Sequence, residues 1–103
     1  MVERQETETF QDWLDGLRSD QAVARIVVHV DRLVDAGHGD VKYLGEKLNE
    51  LRIHHGPGYR VYFARVPDYL LLFGGTKDTQ ERDIRRARRL LKEILDARGN
   101  DGT

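Results

Sequence analysis

The stretch from Leu51 to Phe63, LRIHHGPGYRVYF, constrains the fold more than any other part of the chain. Apolar and polar side chains alternate on both sides of its Gly-Pro-Gly turn, which is the pattern of a β-hairpin with one buried face. The apolar set, predicted to face a core, is Leu51, Ile53, Val61 and Phe63. The polar set, predicted to share an open face, is Arg52, His54, Arg60 and Tyr62.

Apolar residues at spacings of three and four before the hairpin predict two helices. Thr7 is predicted to cap the first helix, and Ser19 or Asp20 the second. Residues Val2 to Gln5 precede both helices as a predicted short strand. The N-terminal half is therefore expected to be mainly helical.

The pattern changes to strands at Val41 and returns to a helix after the hairpin. The predicted strands are Val41–Leu44, Leu48–His55, Tyr59–Val66 and Tyr69–Gly74. Asp78 and Glu81 fit a capping box at the start of an Arg-rich helix. Residues 97–103 are predicted to be a frayed tail.

This order of elements predicts one α+β domain over residues 1–103. The two N-terminal helices are expected to pack on a small twisted antiparallel sheet, with the C-terminal helix following it. The second face of the sheet is expected to stay partly open. A chain of 103 residues is too short for a deep enclosed cavity, so the site is expected on an open face or in a shallow groove.

The composition excludes several kinds of chemistry. The chain has no Cys, which rules out disulfides, thiolate catalysis and Cys-based zinc sites. Its four His residues lack the spacing of a helical metal site, so neither a metal nor a cofactor is expected. No apolar run approaches the roughly 18 residues of a membrane span, and the N-terminus is charged. A cytoplasmic protein without a membrane partner is expected.

The charge is distributed unevenly along the chain. Residues 1–50 carry 11 acids and 6 bases, a net charge of −5, whereas residues 51–103 carry 7 acids and 11 bases, a net charge of +4. Nine of the bases in the second half are Arg, whose planar fork matches phosphate oxygens. The basic half suggests an anionic partner such as nucleic acid. A solvated helix face balanced by ion pairs is the alternative explanation.

The polar set of the hairpin has the side chains that RNA cleavage requires. The guanidiniums of Arg52 and Arg60 can hold phosphates and neutralise the charge that builds on a phosphorane. The ring of Tyr62 can stack on a base, and His54 can move a proton near neutral pH. Lys77 follows two glycines that allow close approach of a ligand. RNA supplies its own 2′-hydroxyl nucleophile, so neither a metal nor a covalent residue is needed. Opposite-strand pairing of these arginines with Glu50 or Glu46 is the simpler alternative.

Several motifs in this order resemble the RelE/ParE superfamily of bacterial toxins, and most closely its HigB-like branch. They are ELRIHHGPGYRVYF, then LLLFGGTKDTQERDI, and finally an Arg-rich helix. The segments TETFQDWLDGLRSDQAVARI and GDVKYLGEKLNELRI also fit, so the resemblance covers about residues 2–96.

The resemblance implies a microbial-ribonuclease-like fold and the toxin of a type II toxin–antitoxin module. Its partners would be a small antitoxin, often a helix-turn-helix protein of the same operon, and mRNA, which many relatives cleave on the ribosome without a metal. Arg60 matches the phosphate-binding Arg of the family, Lys77 its catalytic basic residue, and Arg52 the basic residue of the ELR motif. The predicted RNA-binding residues are Arg52, Tyr59, Tyr62 and Arg82.

The sequence departs from the family at the start of the last helix. Relatives often carry a Tyr or His there, but this chain has Gln80, Glu81, Arg82 and Asp83. The general base is therefore open, with His54 and Tyr62 as substitutes. Two alternatives to a ribonuclease also stay open, because members of the superfamily differ in activity. One is a ParE-like toxin that inhibits DNA gyrase without catalysis, and the other is a decayed toxin that only binds its antitoxin.

Overall fold

The computed structural model describes residues 3–101 of the chain. The strands are β1 (Arg4–Glu6), β2 (Asp40–Gly45), β3 (Leu48–Ile53), β4 (Tyr59–Arg65) and β5 (Tyr69–Thr76). The helices are α1 (Glu8–Asp15), α2 (Asp20–Ala36) and α3 (Gln80–Asp101), and a short 3-10 turn, Lys77–Thr79, precedes α3. The protein is thus an α+β fold with one five-stranded sheet and three helices. No helix of this part of the chain is long and apolar enough to cross a membrane.

The sheet is mixed, which corrects the prediction of an antiparallel sheet. Its strand order is β1-β5-β4-β3-β2. The strands from β2 to β5 form an antiparallel meander, but β1 pairs parallel with β5. The two helices that follow β1 carry the chain away before the meander begins, so β1 can join the far edge of the sheet. Val2, with which the first strand was predicted to begin, lies outside the described residues.

Both faces of the sheet carry a hydrophobic core. One core joins side chains of α1 and α2, such as Phe10 and Ile26, to Leu51, Ile53 and Val61 of the hairpin. The other joins Ala87 and Leu91 of α3 to side chains of the opposite face. The apolar set of the hairpin therefore faces a core, as the alternation predicts. The second face, which was expected to stay partly open, is covered where α3 crosses it.

The helix starts follow the predicted capping chemistry in the N-terminal half but not at α3. Thr7 Oγ1 accepts a hydrogen bond from the N–H of Phe10 (3.0 Å), and Ser19 Oγ accepts one from Ala22 (3.1 Å). The reciprocal capping contact lies instead at the 3-10 turn before α3, where the Thr79 hydroxyl accepts a hydrogen bond from the N–H of the residue that caps this turn, Thr76 (3.3 Å). The helix then continues to Asp101, through most of the segment predicted as a frayed tail.

Candidate active site

Two arginines face each other at the centre of the polar part of the sheet. Arg52 of β3 is the cross-strand partner of Arg60 of β4, so both side chains lie on the face that α3 partly covers. Like charges in directly opposite positions repel each other. Arg52 is neutralised within its own strand, because its Nε lies 3.0 Å from Glu50 Oε1. This pair partly fulfils the simpler alternative for Arg52, although its Glu partner is on the same strand.

Arg60 is a buried cation without a carboxylate partner. Only 7% of the residue is exposed. Its Nη1 donates a hydrogen bond to the carbonyl of Tyr59 (3.3 Å), while its buried Nε has no partner. It forms no ion pair within the described residues. Burying a charged group without an ion-pair partner lowers the stability of the folded protein. The position of Arg60 therefore indicates a role other than stabilising the fold.

Gly58 brings Arg60 and Lys77 together. A Cβ placed on Gly58 would lie 3.7 Å from Arg60 Nη1 and 3.5 Å from Lys77 Cβ. The N–H of Lys77 donates a hydrogen bond to the Gly58 carbonyl (2.8 Å). Gly58 has a φ of +83°, a conformation that L side chains rarely adopt. The turn therefore holds the two predicted catalytic cations on either side of a position that has no side chain.

His54 is bound to a carboxylate that the sequence patterns do not single out. Its Nε2 lies 2.7 Å from Asp40 Oδ2, and their side chains are 70% and 50% exposed. The hydrogen bond with His54 is the main reason that the pKa of Asp40 is lowered, and the charges of His54, Arg52 and Arg60 lower it further. Asp40 therefore lies within electrostatic range of all three predicted site residues.

Glu50 connects the sheet to the start of α3. It is fully buried. One oxygen accepts the hydrogen bond from Arg52, and the other accepts one from Gln80 Nε2 at 2.7 Å. Gln80 is the first residue of α3. A buried carboxylate is tolerated when both oxygens are hydrogen-bonded, and that condition is met here.

The two tyrosines that were predicted to bind RNA, Tyr59 and Tyr62, are both buried. Tyr62 has no exposed surface because α3 covers it, so it does not lie on an open face. Tyr59 is also buried, and it belongs to the core on the opposite face, where it packs edge-on against Trp13. Neither ring is accessible to stack on a base in this conformation.

The phenol of Tyr62 is also held in its neutral form. Burial is the main cause that raises its pKa, and the charges of Glu50 and Asp83 raise it further. Its hydroxyl forms no hydrogen bond of ordinary geometry in the described residues, although the Glu50 carboxylate lies near enough to favour the protonated phenol. Tyr62 is therefore a poor substitute for the missing general base.

Asp83, in the first turn of α3, is a second buried acid. Its Oδ2 accepts a hydrogen bond from the hydroxyl of Thr79. Gly75, the cross-strand partner of Arg60, leaves room for it, because a Cβ on Gly75 would overlap Asp83 Oδ2. Asp83 lies in the region where the resemblance predicts a Tyr or His, and its carboxylate is buried.

Arg82, the last predicted RNA-binding residue, lies on the outer surface of α3. Its side chain is 72% exposed, and its Nε lies 3.6 Å from Asp83 Oδ1. An open groove of about 470 Å³ runs along the start of α3, and its lining includes the cations Lys77, Arg82 and Arg85 and the acids Asp78 and Glu81. Arg82 and Lys77 thus share one groove.

The structure therefore brings five of the predicted site residues to one end of the sheet: Arg52, His54, Arg60, Lys77 and Arg82. Three acids outside the predicted set contact three of these residues: Asp40 contacts His54, Glu50 contacts Arg52 and Asp83 contacts Arg82. The alternation of side chains along a strand puts Glu50 on the same face as Arg52, but no local pattern indicates that Glu50 is buried. No group of three or more potential metal ligands occurs in residues 3–101.

These observations define the class of the protein as an α+β domain with a cationic site where its sheet meets the start of the last helix. A protein of Haemophilus influenzae, described only as uncharacterized, is 41% identical over 90 residues, which cover 85% of this chain and 91% of the relative. The chain belongs to the same family as this Haemophilus protein. No family model and no solved structure matches the chain.

Proposed function

We propose that the protein is the toxin of a type II toxin–antitoxin module and cleaves RNA without a metal. The observation that carries the proposal is the position of Arg60, a buried guanidinium that forms no ion pair within the described residues, close to Lys77 at Gly58. An anionic ligand would supply a direct partner. A phosphodiester fits this role, because its anionic oxygens match the guanidinium fork and gain charge in the transition state.

In the proposed reaction the 2′-oxygen of the RNA attacks the adjacent phosphorus, and the bond from phosphorus to the 5′-oxygen breaks. His54 takes the proton of the 2′-hydroxyl. Lys77 gives a proton to the leaving 5′-oxygen, and exchange with water restores both residues. Arg60 and Arg52 stabilise the phosphorane. The products are a 2′,3′-cyclic phosphate and a 5′-hydroxyl, so no oxidant or other reactant is consumed.

The resemblance to the RelE/ParE superfamily supports the same proposal. We propose the RelE-like, microbial-ribonuclease-like arrangement, with the two N-terminal helices on one face of the sheet. A small antitoxin from the same operon would be the partner, mRNA the substrate, and the cytoplasm the location. The ribosome is the setting in which many relatives of this kind act.

A ParE-like gyrase inhibitor is the second candidate function. It is favoured by the burial of Tyr59 and Tyr62, which leaves the cationic site without an accessible tyrosine from the predicted set. A toxin that binds a protein target needs no base-stacking platform. In this case Arg60 would contribute to binding rather than to catalysis.

One experiment separates the two candidates. The chain is expressed alone from a tightly controlled promoter, transcripts are mapped by primer extension, and DNA gyrase supercoiling is measured in vitro. We expect growth arrest and new transcript ends from the wild-type protein and from an Arg25→Ala control, and neither from Arg60→Ala. Normal growth with soluble wild-type protein would contradict the toxin assignment. Intact transcripts with blocked supercoiling would favour the gyrase inhibitor.

A further inference from the structure

The pair of His54 and Asp40 joins two neighbouring strands at the cationic end of the sheet. Asp40 is the first residue of β2 and the cross-strand partner of Arg52. His54 directly follows β3, two residues beyond Arg52. The two side chains meet diagonally, with 2.7 Å between His54 Nε2 and Asp40 Oδ2. The contact depends on the register of β2 against β3, because the residues are 14 positions apart.

The chemistry of this contact determines which ring nitrogen carries the proton. The lowered pKa of Asp40 keeps its carboxylate ionised near neutral pH, and an ionised carboxylate can only accept hydrogen bonds. His54 Nε2 must therefore be the donor. In the neutral imidazole, Nδ1 then has no proton and presents its lone pair as a base.

We infer that Asp40 is a positioning residue that holds neutral His54 in the Nε2–H form and leaves Nδ1 free to accept a proton. The tautomer follows from the contact alone. Its use in catalysis rests on the proposed ribonuclease function, in which Nδ1 takes the proton of the 2′-hydroxyl.

The surroundings of the pair agree with a positioning function. Both side chains are at least half exposed, so the pair contributes little to folding and leaves the ring accessible to a ligand. Besides His54, the charged groups in electrostatic range of Asp40 come from the next two strands of the sheet: Arg52 of β3 and Arg60 of β4. These cations would hold a phosphate near the ring.

His29 provides a comparison within the same molecule. Its Nδ1 lies 2.7 Å from the backbone carbonyl of Arg25. A carbonyl can only accept, so His29 must carry its proton on Nδ1, the opposite tautomer to His54. The two residues should therefore give opposite patterns in one spectrum.

The test is a two-bond ¹H–¹⁵N spectrum of the imidazoles at about pH 9, where ordinary imidazoles are neutral. We expect a protonated Nε2 and a bare Nδ1 for His54, and the reverse for His29. In Asp40→Asn the amide can donate to Nε2, so His54 should lose its preference for Nε2–H, while His29 stays unchanged. The matched control is Asp35→Asn, an exposed position on α2 that should change neither residue.

The rate of RNA cleavage tests the catalytic part. Loss of a general base costs about 10²–10⁴-fold, and a misoriented base should lose a substantial part of this. Asp40→Asn should therefore slow the wild-type protein at least tenfold, but it should have no further effect in a His54→Ala background.

The outcomes separate this inference from the proposed function. A wild-type His54 in the Nδ1–H form, or one whose tautomer is the same in Asp40→Asn, would overturn the inference even if RNA is cleaved. The predicted tautomers without any cleavage by the wild-type protein would support the positioning function of Asp40 and contradict the ribonuclease. Additive losses in the double variant would show that Asp40 acts independently of His54 and would overturn the catalytic part.

Discussion

The carboxylate of Glu50 accepts a hydrogen bond from the side-chain amide of Gln80 at 2.7 Å, and this contact ties the middle of the sheet to the first turn of α3. The other oxygen of the same carboxylate holds Arg52. One buried acid thus contacts both the first residue of the last helix and one cation of the candidate site.

Replacing this acid should destabilise the fold in proportion to the hydrogen bonds lost. Glu50→Leu leaves Gln80 and Arg52 without their acceptor, and we expect a loss of about 1–3 kcal/mol in the free energy of unfolding. Glu50→Gln keeps an acceptor and should cost less. The matched control is Glu46→Gln, whose exposed carboxylate lies 3.7 Å from Arg88 and should contribute below about 1 kcal/mol. Denaturant unfolding measures all three, and equal losses for Glu50→Leu and the control would contradict this function of Glu50.

The two glycines at the end of β5 should not tolerate a side chain. A Cβ on Gly74 would overlap the ring of Trp13, and one on Gly75 would overlap the carboxylate of Asp83. We expect Gly75→Ala to cost about 1–3 kcal/mol through this overlap. Gly99→Ala is the control, because nothing lies within 4 Å of its Cβ and alanine favours the helix by about 0.8–1.0 kcal/mol. Thermal unfolding should shift in opposite directions for the two variants.

The hydroxyl of Tyr62 should be dispensable. It is buried without a hydrogen-bond partner in the described chain, so its removal leaves no other group unsatisfied. Tyr62→Phe should therefore be neutral or slightly stabilising, whereas Tyr62→Ala should cost about 3–5 kcal/mol because it opens a cavity. Chemical denaturation is the measurement. A loss above about 1 kcal/mol for Tyr62→Phe would reveal a hydrogen bond of this hydroxyl.

Acid should weaken the contribution of Asp40. The pKa of its carboxyl is lowered in the folded protein from an ordinary value of 3.8, mainly by the hydrogen bond with His54. A lowered pKa stabilises the folded state above the unfolded value, and this stabilisation disappears as the pH falls through the folded value. The difference in unfolding free energy between the wild-type protein and Asp40→Asn should therefore shrink below about pH 4. A difference that stays constant down to about pH 2 would contradict it.

Arg60 should contribute to activity at the expense of stability. Arg60→Ala should lower the rate of RNA cleavage about 10²–10³-fold, the usual effect of losing one stabilising donor in a transition state. Arg60→Lys should restore only part of it, since an ammonium cannot reproduce the guanidinium fork. Arg60→Met keeps an apolar stem without the unpaired charge, so we expect it to be inactive and more stable by about 1 kcal/mol.

The matched control for Arg60→Met is Arg25→Met, an exposed position on α2 that should change neither quantity. Unfolding of the two Met variants is compared with cleavage by the same preparations. A destabilised Arg60→Met would mean that the guanidinium has a structural partner and would weaken the case for an anionic ligand.

The sequence by itself determined the order of the elements, the caps of α1 and α2, and the face of the sheet on which each hairpin side chain lies. These are local properties, because side chains alternate along every strand and a cap is made by residues three positions apart. Alternation was therefore sufficient to place Leu51 and Ile53 in a core and Arg52 beside Arg60. Alternation also predicted that Arg52, His54 and Arg60 would contribute guanidinium and imidazole groups to the candidate site.

Only the tertiary structure decided which of these polar residues are accessible. Whether the second face is open depends on where α3 packs, and the contact of Gln80 with Glu50, 30 positions away, has no local signature. The same packing buries Tyr62, and Arg60 is buried without an ion pair among residues 3–101. The register of β2 brings Asp40 to His54. Burial and pairing arise from surfaces that meet only after the chain has folded. Alternation along a strand therefore predicts the side of the sheet on which a residue lies, but not whether another element covers that residue.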